Sequence, residues 1–422
     1  MIKLKNSNFL GIHSIKKSTA IEFDSRMTVL TGFNGSGKSS ILLGIFLAID
    51  GLNERKDRGL LTARKNWGVE LNLEDNDFTP NNSNKIYNFL IPKTNIDLKF
   101  RNIILDSQNI EIMQKVTQVF GENMHKSFEE SFNSTIELCK VEEKNVKNNT
   151  FSNYTSKERV KENTEIFSFL IAAKNQQGHI DVTSEYGEKL KNKKIEISAA
   201  LYQDEKFFYT ENLEGINGLK NLDVFTENNN LDKSIYFLLN EFRKKILKSN
   251  TDLPKRLAEE VKKNSGKNVD FYNIFKELIE TKKFNSDVYD FLSKVNEFYK
   301  ELNKNVYISD AGDIYFKEFN KAKKTMKIIN WYDCSKGEKN LLSLLLITFI
   351  YKDSNTIFIL DEPDLAMHIN WQKKLLRTFL EIAPKSQFIV STHSPALIPQ
   401  DTKEINFVNV TKLKEEMEMY SE

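Results

Sequence analysis

The chain has 422 residues, 40% hydrophobic and 28% charged, and 61 Lys and Arg against 59 Asp and Glu leave a net charge of +2. This length supports a sizeable core, and the near balance of charge excludes a global pull toward nucleic acid, leaving only local basic faces. The two cysteines, Cys139 and Cys334, stand far apart in no metal spacing, which suits a reducing, cytoplasmic setting. The opening MIKLKNSNF lacks the apolar core of a signal peptide, and the most apolar run, Leu341 to Ile350, is too short to cross a bilayer, so no membrane partner is expected.

In chain order, Ile2 to Phe9 reads as a strand, and after Gly11 a second extended run ends at Phe23. Met27 to Leu30 is a short apolar strand, and the glycine-rich stretch Thr31 to Lys38 follows it. Ile41, Leu42, Ile45, Phe46 and Ile49 then recur at helical spacing. Further strands are expected at Val69 to Leu73, Ile96 to Leu105 and Ile195 to Tyr202. Residues from about 110 to 175 and about 230 to 304 are rich in Lys, Glu and Asn at helical spacing, without the sustained heptads of a long coiled coil. Asn305 to Phe316 reads as a hairpin turning at Asp310-Ala311-Gly312-Asp313. From Met326 onward the pattern is strand, loop, helix, strand, helix, strand. These elements describe an α/β fold with one domain built from both ends of the chain, 1–110 and 306–422. A mostly helical insertion over 111–305 interrupts it, with strands near 180–210 returning to the domain.

Four motifs carry chemistry. Gly32-Phe33-Asn34-Gly35-Ser36-Gly37-Lys38-Ser39 is a full G-x-x-x-x-G-K-[ST] loop between a strand and a helix. Its glycines let backbone N–H groups wrap phosphates, and the N-terminus of the helix expected over Ser39 to Ile49, with Ser40 in its first turn, adds positive potential. Lys38 is expected to reach the β- and γ-phosphates of ATP, and Ser39 to hold Mg2+. Ile357-Phe358-Ile359-Leu360-Asp361-Glu362 reads as a strand buried on both faces that delivers two carboxylates at its C-terminal end. Asp361 is expected to bind Mg2+ through water, and Glu362 to orient and polarise the attacking water. Cys334-Ser335-Lys336-Gly337-Glu338 precedes a helix predicted over Lys339 to Tyr351 and offers a second phosphate-binding helix end. Ser391-Thr392-His393-Ser394-Pro395 follows the apolar strand Phe388 to Val390 and brings His393 to the same edge.

In this order, the phosphate loop, S-K-G-E-K-N-L-L, D-E-P-D and T-H-S-P resemble the ABC-type ATPases of the SMC, RecF and overcoming-lysogeny-defect group. They are similar in particular to the stand-alone ATPase subunits of anti-phage systems such as Septu, PARIS and certain retrons. The resemblance covers about the first fifty and the last hundred residues. It implies an ABC-ATPase head, a P-loop NTPase sheet with added antiparallel strands. It further implies that Ser335, Gly337 and Glu338 form a signature meeting the γ-phosphate held by a second copy, in a head-to-tail homodimer or a higher oligomer. His393 becomes the switch histidine. A Q-loop glutamine that helps hold the metal is also implied; Gln203 is the candidate, with Gln108, Gln176 and Gln177 competing.

Two departures stand out. Asp361-Glu362-Pro363-Asp364-Leu365-Ala366-Met367-His368-Ile369 replaces the family's D-E-P-E-x-x-L-H-P, and Leu10 follows Asn8-Phe9 where a basic residue is common. Only about two dozen residues follow Pro399, too few for the nuclease domain of the overcoming-lysogeny-defect proteins. The expected effector is therefore a separate protein, a nuclease by this resemblance. The second reading is a RecF- or SMC-like repair ATPase acting on DNA. Arg243-Lys244-Lys245 and Lys321 to Lys327 would serve DNA, although a solvated helix face accounts for them too and is the reading the net charge of +2 favours.

Overall fold

In the computed structural model the described residues are 2–11, 19–24, 26–50, 67–75, 83–93, 130, 133, 137, 165–174, 180–183, 197–203, 206–209, 231–246, 286–309, 312–320, 324–354, 356–398 and 405–413. The early strands are β1 (Ile2–Leu10), β2 (Thr19–Glu22) and β3 (Met27–Thr31), followed by α1 (Lys38–Asp50), β4 (Trp67–Asp75) and β5 (Ser83–Lys93). Then come β6 (Glu165–Lys174), β7 (Ile180–Thr183), β8 (Ser198–Gln203) and β9 (Lys206–Tyr209). Helical residues 231–246 (α2) and 286–299 (α3) lead into β10 (Lys304–Ile308), β11 (Ile314–Asn320) and β12 (Thr325–Asn330). The last described part holds α4 (Lys336–Tyr351), β13 (Thr356–Asp361), α5 (Ile369–Ile382), β14 (Gln387–Ser391) and β15 (Ile405–Asn409).

The central sheet runs β15-β3-β14-β13-β8-β9. All its pairs are parallel except β8 with β9. Its strands alternate side chains between two hydrophobic cores, as a strand period of two requires. Ile357 and Ile359 point into a core shared with Ile41, Ile45 and Phe46 of α1 and with Leu4, Val69 and Leu71 of the early strands. Phe358 and Leu360 point the other way, among residues of α2, α3, α4 and α5. There Phe358 stacks on Phe388 at 4.9 Å between ring centroids, and Phe388 on Phe379 at 5.7 Å.

A second sheet, β2-β1-β4-β5-β6-β7, is wholly antiparallel. A third, β10-β11-β12, is a meander whose first two strands form the expected hairpin; Asp310 and Ala311 of its turn lie outside the described residues, as does the strand expected at Ile96 to Leu105. Within 111–305 the described residues include β6 and β7 in the antiparallel sheet and β8 and β9 in the central one. Among the described residues, no helix is long and apolar enough to cross a membrane.

Gln387 fastens the antiparallel sheet to the central one. Its side chain is buried, accepts from Leu4 N at 2.8 Å, and donates to Leu4 O at 2.7 Å and to Asp24 O at 2.8 Å. Replacing Gln387 by Ala removes these bonds and leaves the buried Leu4 N and O without this partner. The expected cost is about 2–3 kcal/mol, read as a lower urea midpoint at unchanged slope.

Candidate functional site

Parallel strands end on the same edge, so β3, β8, β13 and β14 deliver the chain segments that follow them to one place. β3 releases the loop 32–37, whose Gly32, Gly35 and Gly37 have φ of +137°, +77° and +101°, values that side chains with a Cβ rarely adopt. A Cβ on Gly35 would meet nothing within 4 Å, so this backbone faces open space. Gly32 is confined instead, because a Cβ there would sit 2.7 Å from Thr411 Oγ1. The same hydroxyl accepts from Phe33 N at 2.9 Å. The short helical segment after β15 thus braces the loop from behind.

The cleft has a volume of about 420 Å³ and is lined by Asn34, Gly35, Gly37, Lys38, Ser39, Ser40, Glu362 and His393. Lys38 is buried and donates to Gly32 O at 3.1 Å and Phe33 O at 3.2 Å. Burial pushes its ammonium below the ordinary amine value, against the pull of Glu362 and Asp361. Ser36 Oγ is buried and without a hydrogen-bond partner among the described residues.

Asp361 is the hub of the site. Its Oδ1 accepts from Ser39 Oγ at 3.1 Å and from Ser391 Oγ, and its Oδ2 accepts from Gln203 Nε2 at 3.0 Å. Carboxylate, hydroxyl and amide are oxygen-bearing groups of the kind a hard cation takes, and Mg2+ is commonly held by one or two carboxylates plus substrate phosphates. Ser39, Asp361 and Gln203 therefore fit Mg2+. Gln108, Gln176 and Gln177 lie outside the described residues.

Glu362 follows Asp361 with φ of +48°, a left-handed backbone unusual for a side chain of this size. Its N–H donates to Ser391 O at 3.0 Å, and its Oε1 lies 3.5 Å from His393 Nε2. Glu362, His393 and Lys38 thus come together. Thr392 beside His393 donates to Asp364 Oδ1 at 2.8 Å, and Ser394 Oγ donates to Gln372 Oε1 at 2.6 Å. Burial raises the Asp364 carboxyl above its ordinary range, against the Thr392 hydrogen bond.

Ser335 does not line this cleft. It is the exposed N-cap of α4, and this capping is why the helix starts at Lys336 rather than Lys339. Ser335 N donates to Glu338 Oε2 at 2.8 Å, and Glu338 N to Ser335 Oγ at 3.4 Å, a reciprocal capping box. Lys304 donates to Glu338 Oε1 at 2.6 Å, and Lys339 meets Asp232 at 2.9 Å. Tyr299 OH donates to Glu338 O at 2.6 Å. A Cβ on Gly337 would sit 2.3 Å from Ala366 O, so only glycine lets α4 approach the turn after Glu362 this closely. Burial, reinforced by Glu338, pushes the Cys334 thiol up to about 12, so it stays protonated near neutrality.

Residues 4–398 match the AAA ATPase domain family. The chain belongs to this family. Its activity is ATP hydrolysis. Its relatives include the Retron Vc95 probable ATPase of Vibrio cholerae serotype O1 biovar El Tor, 24% identical over 438 positions that span 97% of this chain and 74% of the relative. Among solved structures, the Smc head domain with an extended coiled coil bound to the C-terminal domain of ScpA, derived from Pyrococcus furiosus, covers 100% of both chains at 14% identity and a TM-score of 0.40. The recombination mediator RecF in the RecFOR pathway covers 97% of this chain and 96% of its own at 15% identity and a TM-score of 0.35.

Sequence reading assigned no role to Ser391, Thr392, Asp364 or Thr411. The first three stand inside motifs whose neighbours drew attention. Thr411 lies far along the chain from the loop it braces and carries no motif, so only the pairing of β15 with β3 reveals it.

Glu338 generates a pH test. Burial disfavours its charge, but Lys304 and the Ser335 hydrogen bonds outweigh burial and hold its pKa below the ordinary carboxylate value. A carboxylate with a lowered folded pKa adds stability that is fully present above its unfolded value and is lost as pH falls through the folded one. In acid titrations of folding, the stability advantage of wild type over Glu338→Gln should hold above the ordinary carboxylate range and shrink below it.

Proposed function

We propose that the cleft binds ATP with Mg2+ and that hydrolysis is completed only when a second copy contributes its signature. In this reading the loop N–H groups, Lys38 and the N-terminus of α1 hold the phosphates, with Asn34, Ser36 and Ser40 completing the cradle. Ser39, Asp361 and Gln203 hold the cation, which neutralises charge on the phosphate oxygens when bound. Glu362 polarises a water for in-line attack on the γ-phosphorus. The new P–O bond forms as the bond to the β,γ-bridging oxygen breaks, giving ADP and phosphate. His393, 3.5 Å from Glu362, meets the γ-phosphate and reports its presence to the neighbouring turn.

The observation that carries the composite site is the separation of two phosphate-binding surfaces. The cleft contains the loop and Glu362 but not Ser335, which is exposed at a different helix end. A two-fold pair of copies in head-to-tail contact makes two equivalent sites from these halves. We further assign the ATPase to a bacterial anti-phage defence system, where closure and opening of the pair hold or release a separate effector, a nuclease. The sequence motifs and the relative named as a retron ATPase support this assignment.

Two sets of variants test the reading. Lys38→Ala should lose ATP affinity in calorimetry by about tenfold or more, because the charge meeting the phosphates is gone. Glu362→Gln should bind ATP and turn over about 100-fold more slowly; equal hydrolysis would remove Glu362 from the mechanism.

Ser335→Arg should spare binding and block closure. Mixed in equal amounts with Lys38→Ala, about half the dimers should pair one of each, with one site carrying both defects and the other neither. Recovered activity is the expected result. If size analysis shows subunit exchange and activity stays at zero at every ratio, the composite site is wrong.

A further inference from the structure

In α4 a fully buried amide stands directly before a run of leucines. Asn340 is 1% exposed, between the capping box and Leu341, Leu342, Leu344, Leu345 and Leu346, all buried. Burying an amide in such surroundings is costly unless both ends are paired, and here both are. Its Nδ2 donates to Leu365 O at 2.9 Å, and its Oδ1 accepts from Tyr202 OH. Tyr202 is itself 2% exposed and is the residue before Gln203, whose amide touches Asp361. Leu365 lies in the turn after Glu362, where Leu365 N donates to Glu362 O at 3.3 Å and Ala366 has φ of +61°. One turn earlier on α4, Gly337 abuts Ala366 O.

We infer that Asn340 is a positioning residue for hydrolysis, a clamp that holds the Glu362 turn and the Gln203 strand at a fixed distance from the signature end of α4. One amide fastens three segments, two of which carry site residues and the third Ser335. A misplacement of the water-polarising carboxylate by about 1 Å is enough to cost orders of magnitude in rate. Asn340 itself bonds to Tyr202 and Leu365 and to none of Lys38, Ser39 and the loop 32–37, which hold the phosphates in the reading given above. The clamp thus acts chiefly on turnover. The inference rests on the assignment of Glu362 given above.

Steady-state ATP hydrolysis and calorimetric ATP binding by the full chain test it, with rates normalised to nucleotide-binding protein. Asn340→Ala should lower kcat about tenfold or more with KM and ATP affinity within about twofold of wild type. Tyr202→Phe keeps the ring in the core and removes one arm, so a smaller fall in kcat at unchanged KM is expected. The double variant should match Asn340→Ala alone, because both arms run through the same amide. A purely structural role would lower the melting midpoint and leave the normalised kcat unmoved. If Asn340→Ala does not fold, Tyr202→Phe decides alone by the same split.

Wild-type kcat in the variants, or multiplying effects in the double variant, overturns the clamp. Glu362→Gln run alongside separates the two failures. If it hydrolyses ATP at the wild-type rate, the assignment of Glu362 falls. If it is inactive while the Asn340 and Tyr202 variants behave as wild type, only the clamp falls.

Discussion

The carboxylate of Asp361 is the point on which the site depends. It sits at the end of a strand of the central sheet buried at every position and receives hydrogen bonds from Ser39, Gln203 and Ser391. Those three donors come from α1, β8 and β14, so one side chain ties together the ends of four neighbouring elements. An unpaired carboxylate at this depth would be costly. The strands must therefore end in register around it, and that register sets where Lys38, Glu362 and His393 stand. The parallel pairing of Asp361 with Ser391, and of Leu360 with Tyr202, is the backbone expression of the same constraint.

A second layer of fixation surrounds the turn from Glu362 to Met367. Two of its residues, Glu362 and Ala366, have left-handed backbones. Such conformations persist only where surrounding contacts over-determine them. Ser391 O holds the first end, Asn340 the middle, and the Gln372 amide reaches Met367 O at 3.0 Å. Gly337 leaves room for Ala366 O on the other side. The helix that begins after Ser335 and the turn after Glu362 are thus packed as one block within a single chain, even though Ser335 lies outside the cleft that Glu362 lines. The first turn of that helix is in turn gripped by Lys304 and Asp232, on β10 and α2.

Motifs with local chemistry were legible in the sequence, and contacts between distant segments were not. The phosphate loop is contiguous and needs only a strand before it and a helix after it, so residues 27 to 50 declare themselves. Ile357 to Glu362 is read as easily, because a strand buried on both faces shows an unbroken apolar run. Gln203 could be named only among rivals, since the glutamine type says nothing until β8 is placed beside β13. β5 escaped notice because Ser83–Lys93 interleaves Asn and Lys with its apolar residues, and β6, Glu165–Lys174, fell in a stretch read as helical. Their alternation is weak, and pairing with one another carries the assignment instead. Asn340 drew no reading in the sequence, because its meaning lies in Tyr202 and Leu365, which no spacing rule connects to it.

The order of strands in the central sheet differs sharply from their order in the chain. β3 delivers the phosphate loop, yet its two neighbours are β14 and β15, residues 387–391 and 405–409. During synthesis the N-terminal part emerges first. The loop's own strand then has bare edges until residues 387–409 have been made, and Thr411, which braces Gly32 and Phe33, arrives later still. Pairing across such separations is slow because the loop-closure entropy must be met before the contacts reward it. A nascent or truncated chain therefore displays the complete phosphate-loop sequence without the sheet that shapes it. The shape of the loop in this sense reports that residues 387–411 have been made and paired.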